Sequence, residues 1–230
     1  MNSQDSPTFA IKTLGCKVNQ YETQMMRERL VKEGFAERRE DEICDFYIVN
    51  SCTVTHRADR DTRNLIHYFN RLNPEAGIIV AGCYAEKEED RKLLADLPGV
   101  RFLLKNNEKE KITDIISARV SCPKSSRANS KLSITDFKGH DRAFIKVQDG
   151  CDYRCSYCKV RVVRGPSKSR VLPDILKEAE ALIKKGFKEI VLTGVCLGAW
   201  GRDLEKKLFL TDLIEAVSYT HLTLPTKRIV

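Results

Sequence analysis

Short apolar runs alternate along this chain with longer stretches in which apolar residues recur every three or four positions. Phe9 to Leu14 (FAIKTL), Phe46 to Asn50 (FYIVN) and Ile78 to Ala81 have the length of strands. Between the first two, Asn19 to Glu33 carries Tyr21, Met25, Met26 and Leu30 at helical spacing and stops at Gly34. Ala58, Leu65, Ile66, Phe69 and Leu72 mark a second helix, ended by Asn73-Pro74. A charged helix follows the third strand up to Leu97, and Arg101 to Leu104 with Lys109 to Ser117 form a fourth pair. Repeated β-α units predict an α/β fold with a doubly wound parallel sheet.

Val120 to Gly139 breaks this rhythm. It is rich in Ser, Lys, Arg and Asn and reads as a linker. From Arg142 the alternation resumes: a strand over Ala143 to Gln148, a helix from Pro173 to Lys185 closed by Gly186, a strand over Lys188 to Thr193, and a helix from about Leu204 to Val217. The expected organisation is an amino-terminal α/β domain over 1–119, a linker over 120–141 and a second domain over 142–217.

Composition narrows the function classes. A net charge of +8 and a pI near 9.0 point to a polyanionic partner such as RNA. No apolar run approaches membrane-spanning length, and MNSQDSPTFA lacks the basic-then-apolar pattern of a secretion signal. The expected setting is cytoplasmic, without a membrane partner. There, nine cysteines favour metal or redox chemistry over disulfides.

The cysteines fall at telling places. Cys16 follows the first predicted strand, Cys52 the second and Cys83 the third. The carboxyl ends of parallel strands share one edge of the sheet, where ligands bind, so these three thiols should share one rim. Cys44, at the start of a strand, belongs to the opposite edge; Cys122 and Cys196 read as incidental. Three more thiols lie in GCDYRCSYCKVRVVRG, just after the strand that ends at Gln148: Cys151, Cys155 and Cys158. A CxxxCxxC loop offers three thiolates, which suits a 4Fe–4S cluster with one iron left open to substrate. Arg154, Lys159, Arg161 and Arg164 nearby would favour thiolates. A zinc site that borrows His140 or His56 as its fourth ligand is the alternative.

The loop, with Arg164-Gly165 and SKSR (Ser167 to Arg170), resembles that of the radical S-adenosylmethionine (SAM) methylthiotransferases. TLGCKVNQYET (Thr13 to Thr23), VNSCTVTHRADR (Val49 to Arg60) and VAGCYAE (Val80 to Glu86) are similar to that family's amino-terminal cysteine motifs, and KVQDGC and LTGVCLGAWG also match. The wording is most similar to the branch acting on threonylcarbamoyladenosine in tRNA.

The resemblance implies two 4Fe–4S clusters, one on Cys16, Cys52 and Cys83 and one on Cys151, Cys155 and Cys158, facing each other across the domain boundary. One SAM would donate a methyl group to sulfur at the auxiliary cluster. A second would be cleaved to a radical that takes hydrogen from C2 of the adenine beside the anticodon, where the methylthio group is inserted. A C–H bond at an aromatic carbon offers no acidic proton, so no acid–base pair is assigned. The implied partners are a tRNA anticodon stem-loop and an electron donor such as flavodoxin or ferredoxin, and the implied state is monomeric.

Weaker assignments complete the picture. Tyr157 would pack near the SAM adenine, or be a core tyrosine. Thr193, Gly194 and Val195 would admit the SAM amino group, although a tight turn explains Gly194 as well. Ser169 and Arg170 would hold the SAM carboxylate or ribose, or form a solvated basic face. Lys124, Arg127, Lys131 and Lys138, with Arg161 and Arg164, would meet RNA phosphates.

The chain departs from the family in three ways. KVRVVRG is more basic after Cys158 than the family pattern. Only two β-α units follow Arg142, so the expected second domain is the first part of a partial (β/α) barrel, truncated at its carboxyl end, without the family's RNA-binding barrel. SYTHLTLPTKRIV, 218–230, reads as a non-native tail. Two rival functions stand beside tRNA methylthiolation: a methylthiotransferase acting on a ribosomal-protein aspartate, and a non-catalytic, zinc-stabilised RNA-binding module.

Overall fold

The computed structural model describes residues 6–117, 133–139 and 141–219. Lys124, Arg127, Lys131, Cys122, His140 and most of the expected tail therefore lie outside the described residues. The chain divides into two compact units, 1–132 and 133–230.

The first unit is a five-stranded parallel sheet. Its strands are β1 (Thr8–Thr13), β2 (Ala36–Glu37), β3 (Phe46–Ser51), β4 (Gly77–Gly82) and β5 (Val100–Leu104), in the order β2-β1-β3-β4-β5. The crossovers are helices α1 (Lys17–Lys32), α2 (His56–Leu72) and α3 (Glu88–Ala95), and α4 (Ile112–Ser117) follows β5. Every residue of β3 and β4 is buried, as expected for central strands covered on both faces. Tyr47 of β3 stacks on Phe69 of α2 with ring centroids 4.4 Å apart, and Ile66, Ile78, Val80 and Leu94 pack in the same core. Thr55 starts α2 by accepting the Ala58 N–H on Oγ1 at 3.2 Å. The two-residue strand β2 escaped the sequence reading, because two residues carry no periodicity.

The second unit is built on β6 (Ala143–Asp149), flanked by β7 (Lys168–Ser169), antiparallel, and by β8 (Ile190–Gly194), parallel. Helix α5 (Val160–Arg164) leads to β7, α6 (Leu172–Lys185) connects β7 to β8, and α7 (Leu210–Tyr219) follows β8. Pro173 sits in the first turn of α6 and Gly186 ends it in the left-handed conformation, φ 106°. Helix α7 starts later than the expected Leu204. Leu208 N first bonds back to Gly201 O, and the Asp212 carboxylate then takes the Phe209 N–H at the helix start. Residues 133–139, expected in the linker, pack on this unit. Ile134 is buried with its N–H on Glu178 Oε1, and Phe137 lies 4.9 Å from Phe144.

Candidate iron–sulfur and SAM site

The strand order of the first unit changes direction between β1 and β3, the place where an open α/β sheet receives its ligand. The three expected thiols lie here and on the next strand. Thr13, Asn50 and Ala81 stand level in the sheet, as do Ser51 and Gly82. Cys52 follows Ser51 directly, Cys83 follows Gly82 directly, and Cys16 lies three residues past the end of β1, as the N-cap of α1. Cys52 and Cys83 are buried, whereas Cys16 is exposed.

Polar residues that the sequence reading missed stitch these loops together. Asn19 Nδ2 donates to Leu14 O (2.8 Å) and Ser51 O (2.9 Å), joining the Cys16 loop to the Cys52 strand. Ser51 Oγ donates to Ala81 O (2.7 Å) and accepts from Tyr84 N (3.3 Å), joining that strand to the Cys83 loop. Asn50 Nδ2 donates to Asn19 O and Thr23 Oγ1, while its Oδ1 is buried without a hydrogen-bond partner. Gly15 (φ 96°) and Gly82 (φ 101°) precede two of the cysteines. A Cβ on Gly15 would lie 2.9 Å from Cys52 Sγ, and one on Gly82 would lie 2.6 Å from Ser51 O. The signal was available in sequence: a glycine before the cysteine, and polar residues at strand ends where apolar ones are usual.

The second unit repeats the device. Gly150 (φ 66°) ends β6 so close to the chain at Pro166 that a Cβ would lie 1.9 Å from its carbonyl oxygen. The loop then carries Cys151, half-buried, and Cys155 and Cys158, both exposed. Gln148, fully buried, is its hub. Its Nε2 donates to Asp149 O, Gly150 O and Ser167 Oγ at 2.7–3.0 Å, and its Oε1 accepts from Cys196 N at 2.7 Å. One carboxamide thus fixes the cysteine loop to the end of β8. Cys196, read as incidental, lies beside Cys151. Burial pushes the Cys196 thiol up, and the neighbouring Cys151 adds to this through charge and a hydrogen bond.

The other expected site residues fall as follows. Tyr157 is 88% exposed, so it is no core tyrosine. Thr193 is buried at the end of β8, with Gly194 and Val195 half-buried after it. Ser169 and Arg170 are engaged within the unit. Ser169 Oγ donates to Asp203 Oδ1 (2.5 Å) and accepts from Gly201 N, while Arg170 Nη1 bonds Glu178 Oε2 (2.6 Å) and Lys146 O. Burial raises the Asp203 carboxyl, but the hydrogen bonds from Ser169 outweigh it and hold the group below its ordinary value. Arg164, expected beside the thiolates, sets Nη1 3.0 and 3.2 Å from the two Asp149 oxygens. Arg154, Arg161 and Lys138 are exposed, and His56 opens α2. Cys44 is buried at the start of β3, and burial pushes its thiol up to about 11.

Among the described residues no group of three or more His, Cys, Asp or Glu side chains is gathered around one ion position. A cluster that takes one thiolate per iron asks for thiols spaced around a larger object. Thiols are the donors such a cluster takes, and both cysteine sets supply them.

Residues 8–105 match Uncharacterized protein family UPF0004, and residues 145–227 match the Radical SAM superfamily. The second match runs into the segment expected to be foreign. The threonylcarbamoyladenosine tRNA methylthiotransferase MtaB of Bacillus subtilis is 34% identical over 217 residues, covering 90% of this chain and 48% of the relative. Its counterpart in Chlamydia pneumoniae is 38% identical over 212 residues, covering 91% and 48%. This chain belongs to the radical SAM methylthiotransferase family. The ribosomal protein uS12 methylthiotransferase RimO of Nostoc punctiforme is 29% identical over 221 residues, covering 93% of this chain and 50% of the relative. The chain spans about half the length of the curated relatives it matches. Membership implies a 4Fe–4S cluster and SAM, and the loop of Cys151, Cys155 and Cys158 lies within the Radical SAM match. Among the described residues no helix is long and apolar enough to cross a membrane.

Proposed function

We propose that the protein inserts a methylthio group at C2 of N6-threonylcarbamoyladenosine beside the anticodon of tRNA. The observation that carries this reading is two sets of three cysteines at the carboxyl edges of two sheets, with positive-φ glycines directly before Cys16, Cys83 and Cys151. The tRNA target is supported by the names of the MtaB relatives and by the basic charge.

In this reading Cys151, Cys155 and Cys158 hold one 4Fe–4S cluster and Cys16, Cys52 and Cys83 a second. When bound, the clusters and SAM supply the electron, the hydrogen-abstracting radical and the sulfur. Gln148 holds the Cys151 loop against the end of β8, where Thr193, Gly194 and Val195 offer backbone polar groups to the amino group of SAM. Exposed Tyr157 offers a face to its adenine. Ser169 and Arg170 order the β7 edge beside that site, and exposed Arg154, Arg161 and Lys138 meet RNA phosphates. The protein works in the cytoplasm as a monomer, with a small electron-transfer protein as reductant.

The test has two parts. Anaerobic reconstitution of the full chain should give about eight irons, falling to about four in the C151A/C155A/C158A variant. Zinc without iron would replace this reading with a structural-metal RNA-binding module. The loaded protein, given SAM, reductant and tRNA carrying the threonylcarbamoyl group, should yield the methylthio nucleoside by mass spectrometry. Methylthiolation of ribosomal protein uS12 alone would move the protein to the branch of RimO, which its 29% identity to that relative keeps in view.

A further inference from the structure

A charged pair beside the amino-terminal cysteine loops has no part in the chemistry described so far. Lys109 and Glu22 are 1% and 2% exposed, with Nζ 2.5 Å from Oε2. Removing two charges from water costs several kcal/mol per ion before their attraction returns it, so such a pair is weak evidence for stability and invites a positional role. Its position is specific. Glu22 lies on α1, the helix that begins at Cys16, and Lys109 lies on the 3-10 segment Asn106–Lys111 that follows β5. The pair clamps that segment to the helix.

The segment is held at further points. Asn106 N donates to Glu86 Oε1 at 2.5 Å, and Lys105 N donates to Glu108 Oε2 at 2.8 Å. Arg29 of α1 donates to Glu110 O. Held in this way, Asn106 turns its side-chain Nδ2 toward Cys83 Sγ, 3.7 Å away, and Cys83 is itself buried.

We infer that Asn106 is a positioning residue of the auxiliary iron–sulfur site, donating its amide N–H to the Cys83 sulfur while the Glu22–Lys109 pair holds it there. This rests on the reading of Cys16, Cys52 and Cys83 as thiolate ligands. An N–H···S bond draws electron density from a coordinated thiolate. It stabilises the more negative, reduced cluster and raises the reduction potential. An amide does this without adding charge, and beside the buried Cys83 it competes little with water. Asn106→Asp keeps the shape but replaces the donor with a carboxylate, so it should reverse the effect. Asn106→Leu removes the donor alone.

The experiment uses the full chain with Cys151, Cys155 and Cys158 changed to Ala, so that only the auxiliary site can load. Iron content, the rate of iron loss to a chelator and the midpoint potential are measured for this parent and for N106L, N106D and the E22L/K109M double variant. The variants should load iron but hold it about 10–100-fold less tightly, the usual cost of losing an outer-shell partner. Their midpoints should move to more negative values, furthest in N106D. The double variant should move the same way, since it frees the segment without stranding a charge. The thermal midpoint of apo N106L should stay near that of the apo parent. Iron-loaded N106L and N106D with parental midpoints and release rates would overturn the inference while leaving the cluster site intact. A loss of apo stability without a shift in midpoint would make Asn106 a purely structural residue and overturn it equally. A parent that binds no iron would overturn the ligand assignment beneath it. If N106D does not fold, N106L and the double variant still decide.

Discussion

Gly15 and Cys52 stand so close that a Cβ on the glycine would lie 2.7 Å from the Cys52 Cβ. With φ at 96°, Gly15 also occupies a conformation that an L side chain adopts only with strain. Gly15→Ala should therefore act twice, through backbone strain of about 1–2 kcal/mol and by pushing Cys52 away from the rim. Urea unfolding of the apo protein should show the first effect. In a background with Cys151, Cys155 and Cys158 removed, loss of reconstituted iron should show the second.

Lys109→Met should leave Glu22 buried without its cation and destabilise the first unit by about 3–5 kcal/mol. The Glu22→Leu/Lys109→Met double variant should recover most of that loss, because the stranded charge is gone. Denaturant midpoints of the two proteins check both statements. A double variant as unstable as the single one would show that the pair does more than balance charge.

Gln148→Leu removes partners from Gly150 O and Cys196 N together, at about 1–3 kcal/mol for each polar group left buried and unpaired. The consequence should be local. Iron bound at Cys151, Cys155 and Cys158 should fall, while iron at the auxiliary cysteines stays. Selective retention in this variant, compared with the triple-cysteine variant, is the measurement.

Cys44 gives a pH dependence with a definite sign. Its thiol ionises near 9.0 when exposed and is pushed to about 11 by burial. Above pH 9 the unfolded chain releases this proton and the folded chain keeps it, so stability is full below pH 9 and falls as pH rises towards 11. The loss is on the order of 2–3 kcal/mol. Cys44→Ala should flatten this part of the pH–stability curve, and native Cys44 should resist alkylation near pH 8.

The legible parts of the chain were those where one residue class repeats. Ile78 to Ala81 announces a strand buried on both faces, and that strand fixes where Cys83 must lie. Strands β2 and β7 are too short to carry a period, so the antiparallel edge beside the CxxxCxxC loop stayed hidden. Asn19, Ser51 and Gln148 looked like ordinary loop polarity, because these contacts reach partners 19 to 48 residues distant in sequence. The proximity of Cys196 to Cys151 is likewise a product of the parallel pairing of β8 with β6. Ser169 and Arg170 read as holders of the SAM carboxylate or ribose, or as a solvated basic face, and the sequence did not show that Asp203 and Glu178 engage them within the unit.

The parallel crossovers have a consequence for biogenesis. Cys16, Cys52 and Cys83 sit on three different connections of the parallel sheet, so no local hairpin can bring any two of them together early. Their rim exists only once β1, β3 and β4 have found their register. A cluster held by all three thiols would therefore have to be delivered after the sheet has folded, to a rim on which Cys16 is exposed and Cys52 and Cys83 are buried.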